Sequence, residues 1–266
     1  MTTGELLRGA WDWEPSVIIG CAALAAVYLV FARGRSRMQA ICFLAGTLLL
    51  LLDLVSPLDT LGDSYLFSAH VAQHFILALI VPPLWLLGMP RRAAKAALRY
   101  RSIRRTERVL AWPPGAWLAG VGAMLLWHFP PLFNAALADN ALHVAQHLSF
   151  LITGAIFWWP ICGPLAERRL SIMPAIVYLF SACTVCSLLG AALTFSAPGA
   201  YPVYLQPADR LGILPLIRSW GLDPKSDQQL GGMLMWVPGC LVYLTAILVR
   251  VGEWYRVPQP AVIDPA

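Results

Sequence analysis

The sequence predicts an all-α integral membrane protein, a bundle of seven transmembrane helices with the N-terminus outside and the C-terminus cytoplasmic. Three observations carry that prediction. Of 266 residues, 59% are apolar and only 12% charged, with a mean hydropathy of +0.66, whereas a soluble domain is about half apolar and a quarter charged. The apolar residues fall into seven runs close to the roughly 20 residues that cross a bilayer. All 19 Lys and Arg residues except Arg8, Arg210, Arg218 and Lys225 lie between alternate runs or after the last, and such asymmetry marks the cytoplasmic side.

The elements follow in order. Met1 to Pro15 carries Glu5, Asp12 and Glu14 and no basic stretch, so the first apolar run, about 15–32, is expected to be an uncleaved span. Arg33, Arg35 and Arg37 anchor its inner end. The second span is expected at about 38–56 and the third at about 65–88, where Pro82 and Pro83 predict a kink. The arginine-rich stretch from Arg91 to Ala111 reads as a topology anchor, with a basic helix on the inner leaflet as the alternative. The fourth span, about 114–130, is bounded by two Pro–Pro pairs. The fifth, sixth and seventh are expected at about 141–162, 172–196 and 229–250. Residues 197–228 form an outer loop in which Leu211 to Trp220 is apolar enough for a short surface helix. Residues 1–266 are read as a single membrane domain.

Trp11, Trp13, Trp112, Trp158, Trp159, Trp236 and Trp254 stand mostly near span ends, where interfacial tryptophans are expected. The six cysteines lie in or beside apolar runs, which is no disulfide framework. The pI near 9.0 follows from the loop arginines; no aromatic–basic reading surface accompanies it, so nucleic acid is not an expected partner. The expected surroundings are lipid.

On this frame the five histidines collect at the outer end. His70 and His74 open the third span, His128 closes the fourth, and His143 and His147 open the fifth. Residues i and i+4 stack on one helix face, so each pair offers two imidazoles to one ion. Both pairs sit in the same pentapeptide, His70-Val-Ala-Gln-His74 and His143-Val-Ala-Gln-His147, on helices expected to run parallel. A lone membrane histidine is commonly an interhelical hydrogen-bond partner; five at one level point to a metal or haem site. Asp53 and Asp227 are candidates to orient a ligating imidazole through its second N–H. Met124, Met233 and Met235 are auxiliary thioether candidates, with Met233 and Met235 on nearly opposite faces. Methionine beside histidine favours copper, with zinc as an alternative. Cys183 and Cys186 form a CxxC deep in the sixth span and are read as packing residues.

Taken together, several stretches resemble the CtaG family of cytochrome c oxidase assembly factors. They are the first pentapeptide with Pro82-Pro83, Trp127-His128-Phe129-Pro130, His143 through Phe150, Phe157-Trp158-Trp159-Pro160, and Asp227 through Gly232 running into Met235-Trp236-Val237-Pro238-Gly239. The resemblance implies a non-catalytic protein of the bacterial inner (plasma) membrane that helps copper reach a cytochrome c oxidase subunit during biogenesis. It implies a histidine site on the periplasmic or extracytoplasmic side. The unrelated single-span copper chaperone that shares the family's name is not what the chain resembles.

Two competing classes remain at this level. A haem-binding electron carrier would use the same histidines as axial ligands. A metal transporter would need ligands through the midplane, and the inner half holds no histidine and no buried acid. A retinal protein is excluded by the lack of lysine in the seventh span, and a zinc hydrolase by Glu107, Glu167 and Glu253 all falling on the inner side.

Overall fold

A computed structural model describes residues 2–256, and among them every regular element is helical. The cytoplasmic tail expected beyond them lies outside the described residues. The order is α1 (Thr3–Gly9), α2 (Pro15–Phe31), α3 (Arg37–Val55), α4 (Pro57–Ser64), α5 (Phe67–Phe75), a π-helical turn (Ile76–Ile80) and α6 (Val81–Gly88). Then follow α7 (Arg91–Ala97), α8 (Arg101–Leu110), α9 (Pro113–Trp127), α10 (Pro130–Ala138) and α11 (Asn140–Cys162). After a 3-10 turn (Ala166–Arg168) come α12 (Ile172–Phe195), α13 (Pro202–Leu205), α14 (Leu214–Ser219) and α15 (Pro224–Arg256).

All seven apolar runs are helical, but not all are of spanning length. Five are long and apolar enough to cross a membrane: α3, the continuous stretch Phe67–Gly88, α11, α12 and α15. At 17 and 15 residues, α2 and α9 reach about 26 and 23 Å at 1.5 Å per residue, short of the roughly 30 Å hydrocarbon thickness. Helix α8 meets α9 at a bend of 68°, so the basic segment does not prolong α9 in a straight line. The arginine-rich stretch itself folds as α7 and α8, and α8 buries none of its residues.

Local chemistry sets the helix starts. Ser36 and Gln39 form a capping box on α3, and Asp139 caps α11 by accepting from Leu142 N at 2.9 Å, four residues before His143. The N-cap position of α5 is Leu66, whose side chain offers nothing. Asp227 takes over from across the fold, accepting from Phe67 N at 2.7 Å, Ser68 N at 3.0 Å and the Ser68 hydroxyl at 2.5 Å.

The kink expected at Pro82–Pro83 takes the form of the π turn. Pro82 has no N–H to give the carbonyl four residues back. That carbonyl, on Ala78, instead accepts from Trp158 Nε1 at 3.3 Å. Trp158 is therefore a buried partner of the broken helix and not the interfacial residue expected. Gly154 makes the approach possible, because a Cβ there would stand 2.7 Å from the Ala78 oxygen and 2.9 Å from Pro82 Cγ. Gly154→Ala is expected to cost about 1–3 kcal/mol through overpacking, read as a lower thermal midpoint of the purified protein in detergent.

Residues 197–228, expected as an outer loop, fold onto the bundle. Ile213 and Ile217 are fully buried against Leu6, Tyr65 and Leu66, so the apolar stretch expected at the surface forms α14 and covers the start of α5.

Candidate metal centre

Helix α5 carries His70 and His74, α11 carries His143 and His147, and His128 is the C-cap of α9. The first pair is fully buried, with His128 and His147 nearly so. Ring centroids are 4.3 Å apart for His70–His74 and 4.2 Å for His143–His147. Across the helices the separations are 5.3 Å for His70–His143, 5.7 Å for His74–His147 and 5.3 Å for His74–His128. The five rings thus form one contiguous cluster. Phe133 and Phe150, both fully buried, pack against them and keep the floor apolar.

Two overlapping triads of ligand atoms emerge. In His70, His74 and His147 one nitrogen from each lies within 4.8 Å of the others; the same holds for one atom each of Asp63, His70 and His143. For metal–nitrogen bonds of about 2.0–2.1 Å, the ligands of one tetrahedral or trigonal ion stand about 3.3–3.6 Å apart.

The hydrogen bonding of the cluster is incomplete in a particular way. Among the described residues, both nitrogens of His70 and of His74, and Nε2 of His128, His143 and His147, have no hydrogen-bond partner. Burying such a group without a partner costs about 1–3 kcal/mol, and a cation that accepts the lone pairs offsets it. His128 is oriented for this. Its Nδ1 lies 2.8 Å from the Met124 carbonyl, which can only accept, so Nδ1 carries the hydrogen and Nε2 the lone pair.

Sequence reasoning missed Asp63, and the structure brings it to the cluster: Oδ1 lies 3.5 Å from His143 Nε2 and 3.8 Å from His70 Nδ1. Asp59, one turn earlier on α4, accepts from Gln73 Nε2 at 2.8 Å. The signal was present, since Asp59 and Asp63 repeat the i,i+4 spacing of the histidines just ahead of His70. Gly62 lets α4 lie flat on α5, as a Cβ there would meet His70 Cα at 3.1 Å and Gln73 Oε1 at 2.4 Å. Burial, then the neighbouring Asp63, pushes the Asp59 carboxyl up to about 7; burial, then Asp12, does the same to Asp63. Carboxyls crowded at a half-dry mouth are relieved by a cation. With Asp12 and Glu14 they help line a largely apolar cleft of about 550 Å³ bounded by α2, α3 and α11, which reaches His143 and His147.

The remaining candidates divide. Asp53 is buried, and its carboxylate has no hydrogen-bond partner. Asp227 holds the start of α5. Neither is hydrogen-bonded to an imidazole, because the uncapped N–H groups of α5 claim Asp227. Met124 and Met235 are buried, while Met233 is 49% exposed, so of the two α15 methionines Met235 is the inward one. The CxxC is not a pair: Cys183 Sγ lies 3.0 Å from Cys240 Sγ, and Cys186 Sγ lies 3.6 Å from the Tyr243 hydroxyl. Two tyrosines escaped notice in the sequence. Tyr201 donates to the His128 carbonyl at 2.8 Å and Tyr204 to the Gly62 carbonyl at 2.7 Å, tying the outer loop to both sides of the site.

Fold and site define a helical membrane protein built around a buried histidine cluster. The chain belongs to the family of cytochrome c oxidase caa3 assembly factors, whose model matches residues 23–257. It is also similar to an uncharacterized protein of Mycobacterium leprae, with 25% identity over 259 residues and 91% of this chain. Uncharacterized proteins of Mycobacterium bovis and Mycobacterium tuberculosis are 26% identical over 269 residues and 92% of this chain. These alignments take up 38–39% of the relatives, so the chain spans about two-fifths of the length of the curated relatives it matches. No solved structure matches the chain.

Proposed function

We propose that this chain receives copper as cargo at the histidine cluster and hands it to a cytochrome c oxidase subunit during assembly, without catalysing a reaction itself. The observation that carries this reading is the convergence of buried imidazole nitrogens lacking any other partner. Imidazole suits copper and zinc; the assembly of a haem–copper oxidase requires the former. The acid-lined cleft serves as the entry, concentrating cations before Asp63 and His143. The outer triad then takes the ion in, and His70, common to both triads, passes it to His74 and His147.

In this reading α2 and α9 cross as short spans, giving seven. The Lys and Arg asymmetry puts the N-terminus and the histidines outside a bacterial inner membrane and the C-terminus in the cytoplasm. Mismatch of a few ångströms is absorbed by local thinning. A bare ion is favoured over haem because each triad offers three donor atoms within 4.8 Å of one another, whereas haem iron takes at most two protein ligands, one on each axial face.

The test is metal stoichiometry of the purified chain loaded with Cu(I) or Cu(II), compared with His74→Ala and His147→Ala. Each substitution is expected to lower copper affinity by at least about tenfold. Copper binding unchanged in both would refute the assignment. A Soret band in the native preparation, lost with either histidine, would favour haem.

A further inference from the structure

Beside His74 the bundle holds a second, chemically different donor set. A small void, about large enough for one water-sized particle, is lined by His74 of α5, Met124 of α9, Cys186 of α12 and Met235 of α15. Its other walls are apolar side chains from α5 and the π turn. Four helices that are far apart in sequence each contribute one residue bearing a sulfur or nitrogen donor to the lining of this void.

Packing alone does not account for that choice. A buried water needs two to four polar partners, and thioethers and thiols are weak hydrogen-bonding groups, so the void is a poor water site. His74 is 1% exposed with neither ring nitrogen partnered. A soft monovalent cation is the occupant such walls suit: thioether and thiolate sulfur select Cu(I) over harder divalent ions. On binding, the Cys186 S–H bond breaks as the sulfur–metal bond forms, and the proton is released to solvent. Past Cys186, sulfur donors continue along the α12–α15 seam with Cys183 and Cys240.

We propose that Met124, Met235, Cys186 and His74 form a Cu(I)-selective site distinct from the two histidine triads and linked to them through His74. It rests on the copper reading above and extends it. The outer cluster takes copper of either oxidation state, and the sulfur site retains only the reduced ion.

The experiment is X-ray absorption at the copper edge on the full chain in detergent, loaded with Cu(I), with Co(II) binding followed optically as a separate report on the histidines. The wild type is expected to show a sulfur shell beside nitrogen. In Met124→Leu/Met235→Leu/Cys186→Ser that shell disappears and Cu(I) affinity falls by at least about tenfold, while the Co(II) spectrum is unchanged. If the triple variant does not fold, Met235→Leu and Cys186→Ser are examined singly, and each is expected to reduce the sulfur amplitude. A nitrogen-only shell in the wild type, a sulfur shell surviving in the triple variant, or a sulfur amplitude undiminished in both single variants overturns this site and leaves the histidine reading standing. Failure of the wild type to bind either ion overturns both.

Discussion

His70→Ala will remove metal binding from both triads, whereas His143→Ala will weaken only the outer one. Among the described residues His70 is the one shared by the two ligand sets. It is fully buried, and among the described residues neither ring nitrogen has a partner within hydrogen-bond distance, the Asp63 carboxylate lying 3.8 Å from Nδ1. Removing a partner that merely orients a ligand costs about 10- to 100-fold in affinity. Removing a ligand common to both sites is expected to cost about 100-fold or more, with Cu(II) stoichiometry falling towards zero in equilibrium dialysis. His143→Ala retains His70, His74 and His147 and should keep one ion. Without metal, His70→Ala also opens a cavity at a fully buried position and is expected to lower the thermal midpoint, so metal stoichiometry is read at a temperature where both variants remain folded. Wild-type stoichiometry in His70→Ala would remove the cluster from consideration as a metal centre.

Asp227→Ala is expected to be the most destabilising single change at the outer end. The carboxylate is 1% exposed and accepts two backbone N–H groups and one hydroxyl at the start of α5. Hydrogen bonds to a charged group contribute about 1.5–3 kcal/mol each, and the donors left behind are buried without partners. A loss of about 3–5 kcal/mol follows, in the range seen when one member of a buried charged pair is deleted. Asp227→Asn keeps an acceptor oxygen and should lose about half as much. Unfolding in detergent against a denaturant series measures both. Because α5 carries His70 and His74, Asp227→Ala should also weaken metal binding, but in proportion to unfolding. An unfolding midpoint unchanged in Asp227→Ala would show that α5 starts without this cap.

These two residues mark where sequence reasoning succeeded and where it could not reach. The histidine pairs were legible because their i,i+4 spacing and repeated pentapeptide are local patterns, and helix geometry turns spacing into a shared face. Asp227 was legible as a buried acid near the right level, yet its partner is 159 residues away in Ser68; no local pattern shows that α5 lacks a cap of its own. The bond between Trp158 and the Ala78 carbonyl was hidden for the same reason, since Pro82 announces a freed acceptor without naming its donor. Asp63 was missed for a different cause: α4 was treated as a connection between apolar runs, and its eight residues hold too little hydrophobicity to register. The helical runs were plain, but α2 and α9 sit near the minimum crossing length, where composition alone gives no count of spans.

The π turn at Ile76–Ile80 behaves as a one-residue insertion in an otherwise continuous rod. One residue corresponds to about 100° of rotation, so the two halves of Phe67–Gly88 are out of phase. The first half turns its imidazoles towards α11 and α9, while the second packs against α3 and α11 through Pro82 and Trp85. The angular aim of His70 and His74 is thereby uncoupled from the footing of the lower half. The outer chamber can be re-aimed by altering five residues, with the lipid-embedded base of the same rod left where it stands.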